Sequence, residues 1–307
     1  MIDVTLLGTA ALMPLPGRAL TAAALRCMGR CLLLDCGEGT QVAARAAGVS
    51  LMSADLVALT HYHGDHIFGL PGLLQTLTSQ GREAPLTVVG PEGLEDVMAP
   101  VMKLAGRLSF DVRLTGLPPE GLRLRDIHTA WPEGARLTAF PTRHRGPSQG
   151  YLFALARAGR FLPERARELG VPVRLWKALQ SGEAVEAAGR TILPDEVTGA
   201  PRRGLRVAFT GDTSPCEAIV EAARGADLLI CEATFPDDGD AALALERGHM
   251  TFSQAGALAA EAGARRLWLC HYSQRVEDPE ACAPAARARF PGAVCGADGM
   301  RMTLAYE

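Results

Sequence analysis

The sequence predicts an α/β sandwich covered by helices, on three observations. Short, continuously apolar runs of strand length recur along the chain, Ala-, Leu- and Glu-rich stretches with helical spacing lie between them, and the alternation occurs in both halves. The apolar runs are "VTLLG" (4–8), "CLLLDCG" (31–37), "DLVALTH" (55–61) and "LTVVG" (86–90), then "LTAFPTRH" (137–144), "RVAFTGD" (206–212), "DLLICEATF" (227–235) and "RRLWLCH" (265–271). Each is bounded by Gly, Pro or Asp, and unbroken apolarity suits strands buried on both faces. Between them, "GTQVAARAAG" (39–48), "PEGLEDVMAPVMKLAG" (91–106) and "SQAGALAAEAGA" (253–264) space their apolar residues as helices do.

The composition supports this reading. Of 307 residues, 48% are hydrophobic and 21% charged, enough to bury a large core and too apolar for a disordered chain. No apolar run reaches the ~18 residues of a membrane span, and "MIDVTLLGT" lacks the basic and apolar regions of a signal peptide. The expectation is a soluble cytoplasmic protein without membrane contact. The eight cysteines show no C-x-x-C spacing and several end apolar runs, as in "LLIC" and "LWLC"; they read as free thiols in a reducing compartment.

One segment breaks the rhythm. Residues 159–203 have weak strand signal and several Gly and Pro, and strand runs resume directly after them, which predicts an insertion projecting from a single domain spanning 1–307. The net charge is −3, so no global basic field attracts nucleic acid. Residues 156–206 nevertheless carry ten Lys/Arg against six Asp/Glu, a local +4 that leaves −7 for the remainder.

The polar residues fall where open α/β sheets build their sites, at the carboxyl ends of strands. His61 follows "DLVALT", His144 follows "LTAFPTR", Asp212 follows "RVAFTG", Glu232 follows "DLLIC" and His271 follows "RRLWLC". "HYHGDH" (61–66) adds His63, Asp65 and His66. Imidazole and carboxylate donors without thiolate fit zinc, with manganese and iron as alternatives, in a site that keeps room for water. His61, His63, Asp65, His66, His144, Asp212 and His271 are too many for one tetrahedral ion, and suit two ions about 3.5–4 Å apart sharing a carboxylate. His128, in "RLRDIHTAWP", has no such placement and reads as structural.

With these motifs the chain resembles the metallo-β-lactamase superfamily, whose signature is H-x-H-x-D-H, and within it the ribonuclease Z family of tRNA 3′-processing endoribonucleases. "THYHGDHIFGLPGLL" (60–74), "LLDCGEGTQ" (33–41), "HRGPSQGY" (144–151), "FTGDT" (209–213) and "HYSQR" (271–275) carry that resemblance over nearly the whole chain. It implies an αββα four-layer sandwich with a projecting helical arm at about 155–203 that clamps precursor tRNA, and a homodimer in which the arm of one subunit serves the site of the other. It also implies two zinc ions per subunit: His61, His63 and His144 on one, Asp65, His66 and His271 on the other, and Asp212 bridging. Asp65 would orient or deprotonate the attacking water. His249, in "GHMTFSQAG", paired with Glu232, would protonate the departing 3′ oxygen, leaving a 3′-hydroxyl on the tRNA.

Three motifs depart from the family pattern. The loop that usually reads Pro-x-Lys-x-Arg-Asn is "PLPGRA" (14–19), keeping Arg18 but placing Pro16 and Ala19 at the Lys and Asn positions. The arm reads "GVPVRLWKAL" (170–179) without the usual Gly-Pro, and the His-Glu-Ala-Thr and His-Ser-Thr motifs read Cys231-Glu232-Ala233-Thr234 and His249-Met250-Thr251. Every expected ligand is present. A related hydrolase of small phosphodiesters or other compact esters is therefore the alternative expectation.

Overall fold

The computed structural model describes residues 1–306. Two seven-stranded sheets carry the fold. The first contains β1 (Ile2–Gly8), β2 (Ala22–Cys27), β3 (Arg30–Leu34), β4 (Ala54–Ala58), β5 (Leu86–Val89) and β6 (Val112–Thr115). The second contains β7 (Leu122–Arg123), β8 (Ala135–Pro141) and β9 (Gln149–Arg157). After a small hairpin of β10 (Val185–Ala187) and β11 (Arg190–Ile192), it continues with β12 (Arg202–Phe209), β13 (Leu228–Glu232), β14 (Leu267–Cys270) and β15 (Ala293–Cys295). The last strand, β16 (Arg301–Leu304), returns to pair antiparallel with β1, giving the order β16-β1-β2-β3-β4-β5-β6 beside β15-β14-β13-β12-β9-β8-β7.

Each sheet begins as an antiparallel meander and ends as parallel strands: β3 to β6 in one, β12 to β15 in the other. The central parallel strands β4, β5, β13 and β14 are covered along their whole length, as their unbroken apolar sequence requires.

Alternation along each strand sorts its side chains into layers. Leu32, Leu34 and Leu56 of the first sheet meet Phe153, Val207, Phe209, Ile230 and Trp268 of the second in the central core. The opposite-facing Leu33 and Val57 pack on Leu70, Leu73, Leu74 and Leu77 of helix Leu70–Ser79 and on Met98 of helix Leu94–Ala105. Leu229 and Leu269 pack on Phe252, Ala255 and Leu258 of helix Phe252–Glu261. Each fully buried Leu or Ile contributes about 1.5–3 kcal/mol. The result is helix, sheet, sheet, helix.

The insertion leaves from the end of β9 and returns at the start of β12, where Arg157 and Arg202 are direct partners. It has its own small core of Ala166, Val171, Leu179, Val185, Ala187, Ile192 and Val197. It is not purely helical. Helices Pro163–Glu168 and Val173–Gln180 are followed by the β10–β11 hairpin, whose three-residue strands are too short to register as a period in the sequence. Phe161 and Trp176 pack ring to ring at 5.3 Å, and the Arg167 guanidinium lies 5.3 Å over Trp176.

All eight cysteines are free, as expected, and no helix among the described residues is long and apolar enough to cross a membrane.

Candidate metal centre

The strand ends converge. His61 lies three residues beyond β4, His144 three beyond β8, Asp212 three beyond β12 and His271 one beyond β14, while Glu232 closes β13. His63, Asp65 and His66 come from the turn after β4 and the short helix Gly64–Ile67. His61, His63, His144 and Asp212 bring one donor atom each within 4.8 Å of one another, and so do Asp65, His66 and His271. All seven sequence-predicted ligands are therefore in one place. His128 is not; its Nδ1 accepts the Ala130 amide at 3.1 Å.

The donor atoms face one another at close range. His61 Nε2 and His144 Nε2 each lie 3.1 Å from His63 Nδ1, and His66 Nε2 lies 3.3 Å from His271 Nε2. Asp212 sits between the two sets, with Oδ2 3.6 Å from His61 Nε2 and Oδ1 3.2 and 3.1 Å from the Nε2 atoms of His66 and His271. Oδ1 is buried and makes no hydrogen bond.

Outer partners fix which nitrogen of each ring faces inward. The Thr60 hydroxyl donates to Asp35 Oδ2 (2.9 Å), so it accepts from His61 Nδ1 (3.0 Å). Asp35 Oδ2 also accepts from His66 Nδ1 at 2.7 Å. The Thr234 hydroxyl donates to Glu232 Oε2 (2.5 Å) and so accepts from His271 Nδ1 (2.9 Å), while the Gly248 carbonyl accepts from His144 Nδ1 (2.8 Å). With those protons outward, four inward nitrogens and two carboxylates present only lone pairs to a shared interior. That arrangement is repulsive without a cation. Nitrogens on a tetrahedron with ~2.0–2.1 Å arms stand about 3.3 Å apart, close to the spacings found, so the donor set fits zinc-like ions.

Protonation agrees. Burial, with the charge of His66, lowers the His61 pKa to about 2, and burial lowers that of His144. Burial alone would raise the carboxyls of Asp65 and Asp212, yet His271 and His66 beside both hold them below the usual range. Asp65 Oδ2 also accepts the Leu12 amide at 2.7 Å.

Backbone strain is concentrated here. Five non-glycine residues among those described have positive φ. Met28 and Ala188 precede Gly29 and Gly189 in two-residue hairpin turns, where that conformation is usual. The other three are Leu12 (φ 67°), Asp35 (57°) and His271 (58°), all at the site. Met13 N donates to Ala11 O at 2.8 Å, closing a tight turn around Leu12. Two glycines are obligatory: a Cβ on Gly211 would stand 2.6 Å from the Thr60 side chain, and one on Gly248 would stand 2.8 Å from His144 Nδ1.

Beside these donors stands a second pair. His249 Nδ1 lies 3.0 Å from Glu232 Oε1, and its ring centre is 4.9 Å from His144 and 5.5 Å from His271. Burial disfavours the imidazolium, but the Glu232 carboxylate outweighs it and raises the pKa to about 9. Glu232 is itself anchored by the amides of Thr213 and Met250. His249 does not cap the next helix. Thr251 does, in a reciprocal pair with Gln254. A cavity of about 390 Å³ opens over the site, lined by His63, Asp65, His144, Asp212 and His249 together with Leu12, Phe235 and three arginines.

Sequence patterns alone did not mark Asp35, Thr60 and Thr234 as site residues, although Asp35 also ends an apolar run. The altered loop 14–19 folds as a closed turn: Leu15 and Arg18 exchange backbone hydrogen bonds around Pro16-Gly17. Arg18 is spent within the chain, donating to Val276 O and Glu277 O at 2.9 and 3.2 Å over the Tyr272 ring.

Comparison with known proteins agrees with this architecture. Residues 179–272 match the model of the beta-lactamase superfamily domain, and residues 2–102 that of the anti-Pycsar protein Apyc1. Ribonuclease Z of Lachnoclostridium phytofermentans is 41% identical over 100% of this chain and 99% of its own. Ribonuclease Z of Methanothermobacter thermautotrophicus is 39% identical over 95% of this chain and 93% of its own. The crystal structure of human tRNase Z, short form, superposes with a TM-score of 0.68 at 28% identity, covering 99% of this chain and 100% of that one. On the full-length identity and the two-sheet fold, the chain is a metallo-β-lactamase-fold hydrolase and belongs to the ribonuclease Z family.

Proposed function

We propose that the protein is a zinc-dependent endoribonuclease that removes the 3′ trailer from precursor tRNA and leaves a 3′-hydroxyl on the tRNA. The observation that carries this reading is the placement of the His249–Glu232 pair directly beside two convergent donor sets. His61, His63 and His144 would hold one zinc ion and Asp65, His66 and His271 the other, with Asp212 shared. Zinc bound there supplies positive charge against the scissile phosphate and makes a water more acidic.

The chain's own residues do the rest. Asp65, held in one orientation by the Leu12 amide, directs the attacking water and accepts its proton. Attack at phosphorus breaks the bond to the 3′ oxygen, and the phosphate stays with the trailer. His249 gives a proton to that oxygen, and Glu232 stabilises its charged form beforehand.

Residues from about 155 to 203 act as an inserted arm that grips the tRNA body. Arg165 and Arg190 are paired with Glu168 and Glu196, whereas Arg160, Arg174 and Lys177 stand exposed without an ion pair among the described residues. Free surface cations of this kind suit phosphate contacts. The arm of one subunit in a homodimer serves the site of the other.

The closed Pro16-Gly17 turn and the committed Arg18 favour the second reading, a hydrolase of small phosphodiesters, because that loop offers RNA no free cation. The test is a cleavage assay of zinc-loaded protein on a 3′-extended precursor tRNA, beside Asp65→Ala and a chelator. One cut near the discriminator base, lost in both controls, supports the ribonuclease. No cut, with metal-dependent hydrolysis of a small phosphodiester, supports the alternative.

A further inference from the structure

Three arginines line the cavity above the site, and their commitments differ. Arg145 Nη2 is 3.4 Å from Glu246 O. Arg275 is paired with Asp240 at 2.8 Å, and its guanidinium lies 5.9 Å from the Phe235 ring centre. Arg247 is exposed and makes no side-chain hydrogen bond, ion pair or ring contact among the described residues. It closes helix Ala241–Arg247, where a cation is favourable against the helix's terminal carbonyls. That effect suits any direction of the side chain and does not account for an uncommitted arginine in the cavity lining.

Arg247 shares the cavity lining with His249, two residues further along the chain. Gly248, in a left-handed conformation (φ 78°), turns the chain so that its carbonyl holds His144, and His249 follows. On the reading given above, His249 addresses the 3′ oxygen that leaves with the tRNA. A cation two residues away therefore lies on the tRNA side of the cut. The scissile phosphate already faces the convergent donors, Asp65 and His249, so Arg247 remains for a different anion.

Resting on that reading, we infer that Arg247 binds the phosphodiester immediately 5′ of the scissile one. It makes Arg247 a specificity residue, since a small ester has no such second charge and gains nothing from it. A planar fork of donors matches two phosphate oxygens at once.

The test couples a change in the enzyme to a change in the RNA. Precursor tRNAs are prepared with one neutral methylphosphonate, either at the linkage just 5′ of the cut or at the first linkage 3′ of it. kcat/KM is measured with wild type, Arg247→Ala and Arg247→Lys. Arg247→Ala is expected to lower kcat/KM on unmodified RNA about tenfold, the loss typical of a hydrogen bond to a charged group. The 5′ methylphosphonate lowers the wild type by a similar factor, and the two changes together cost no more than either alone. The 3′ methylphosphonate multiplies independently with Arg247→Ala, and Arg247→Lys recovers part of the loss. Independent multiplication with the 5′ substitution, or coupling to the 3′ one, would overturn the assignment. Failure of the wild type to cut unmodified precursor would instead overturn the ribonuclease reading and this inference with it.

Discussion

The carboxylate of Asp35 accepts from His66 Nδ1 at 2.7 Å and from the Thr60 hydroxyl at 2.9 Å, and Thr60 in turn accepts from His61. One fully buried side chain thus orients a ring of each donor set. Asp35→Asn keeps the shape and removes the charge, and its amide can offer the Thr60 hydroxyl or His66 a donor where an acceptor is required. Metal affinity should fall by about 10–100-fold. Competition with a chromogenic chelator measures it, and unchanged affinity at both sites would remove Asp35 from this role.

Asp65 lies in the site, 8% exposed, rather than in a hydrophobic layer. Asp65→Ala should reduce kcat by about three orders of magnitude with the thermal midpoint within a few degrees of wild type. Retained turnover would eliminate the proposed acceptor of the water's proton.

In the role proposed above, His249 serves as an acid only while protonated. With a pKa raised to about 9 in the protein alone, and pulled lower by bound cations, the rate on RNA should fall as pH rises toward 9. His249→Ala should erase that limb and cost about 10²–10⁴-fold on RNA. An activated aryl phosphodiester, whose leaving group needs no proton, should lose far less; equal losses on both substrates would refute the assignment. The same shift favours the folded state: its contribution is full below the ordinary 6.5 and lost as pH rises through about 9.

Leu12 holds φ 67° with its side chain 69% exposed, so it bears strain and buries little. Leu12→Gly should stabilise the fold by about 1 kcal/mol, a rise of roughly 2 °C in Tm, while keeping the amide that holds Asp65. Differential scanning calorimetry decides it, and a drop in Tm would show that the side chain packs more than its exposure indicates.

Arg174 and Lys177 stand on the exposed face of the arm's second helix. Replacing both with Ala should weaken tRNA binding and flatten the slope of log Kd against log salt by about 1 for each phosphate no longer neutralised. Hydrolysis of a small phosphodiester should be little affected. A parallel loss on both substrates would place these residues in the fold instead.

The sheets and the convergence of the donor side chains were legible because both have local signatures: "DLLICE" is a buried parallel strand ending in an acid, and "HYHGDH" clusters donors within six residues. Asp35 was not, because its bonds to Thr60 and His66 span 25 and 31 residues and leave no spacing to read. Thr234 was hidden for the same reason, its hydroxyl reaching His271 across 37 residues. The Pro16-Gly17 turn did have a signal, since that dipeptide marks a turn. The cations missing from the loop say nothing of the chain reversal that its own residues dictate. The hairpin in the arm escaped because strands of three residues have no measurable period.

The pairing of Arg157 with Arg202 has a consequence for how such proteins diversify. The arm begins and ends on one rung of one sheet and buries its own apolar residues, so its removal or replacement alters neither the register of the sandwich nor the spacing of the strand ends that carry the ligands. On the function proposed above, reach toward a substrate and the chemistry performed on it are thus separately heritable, and a lineage can exchange the one while conserving the other.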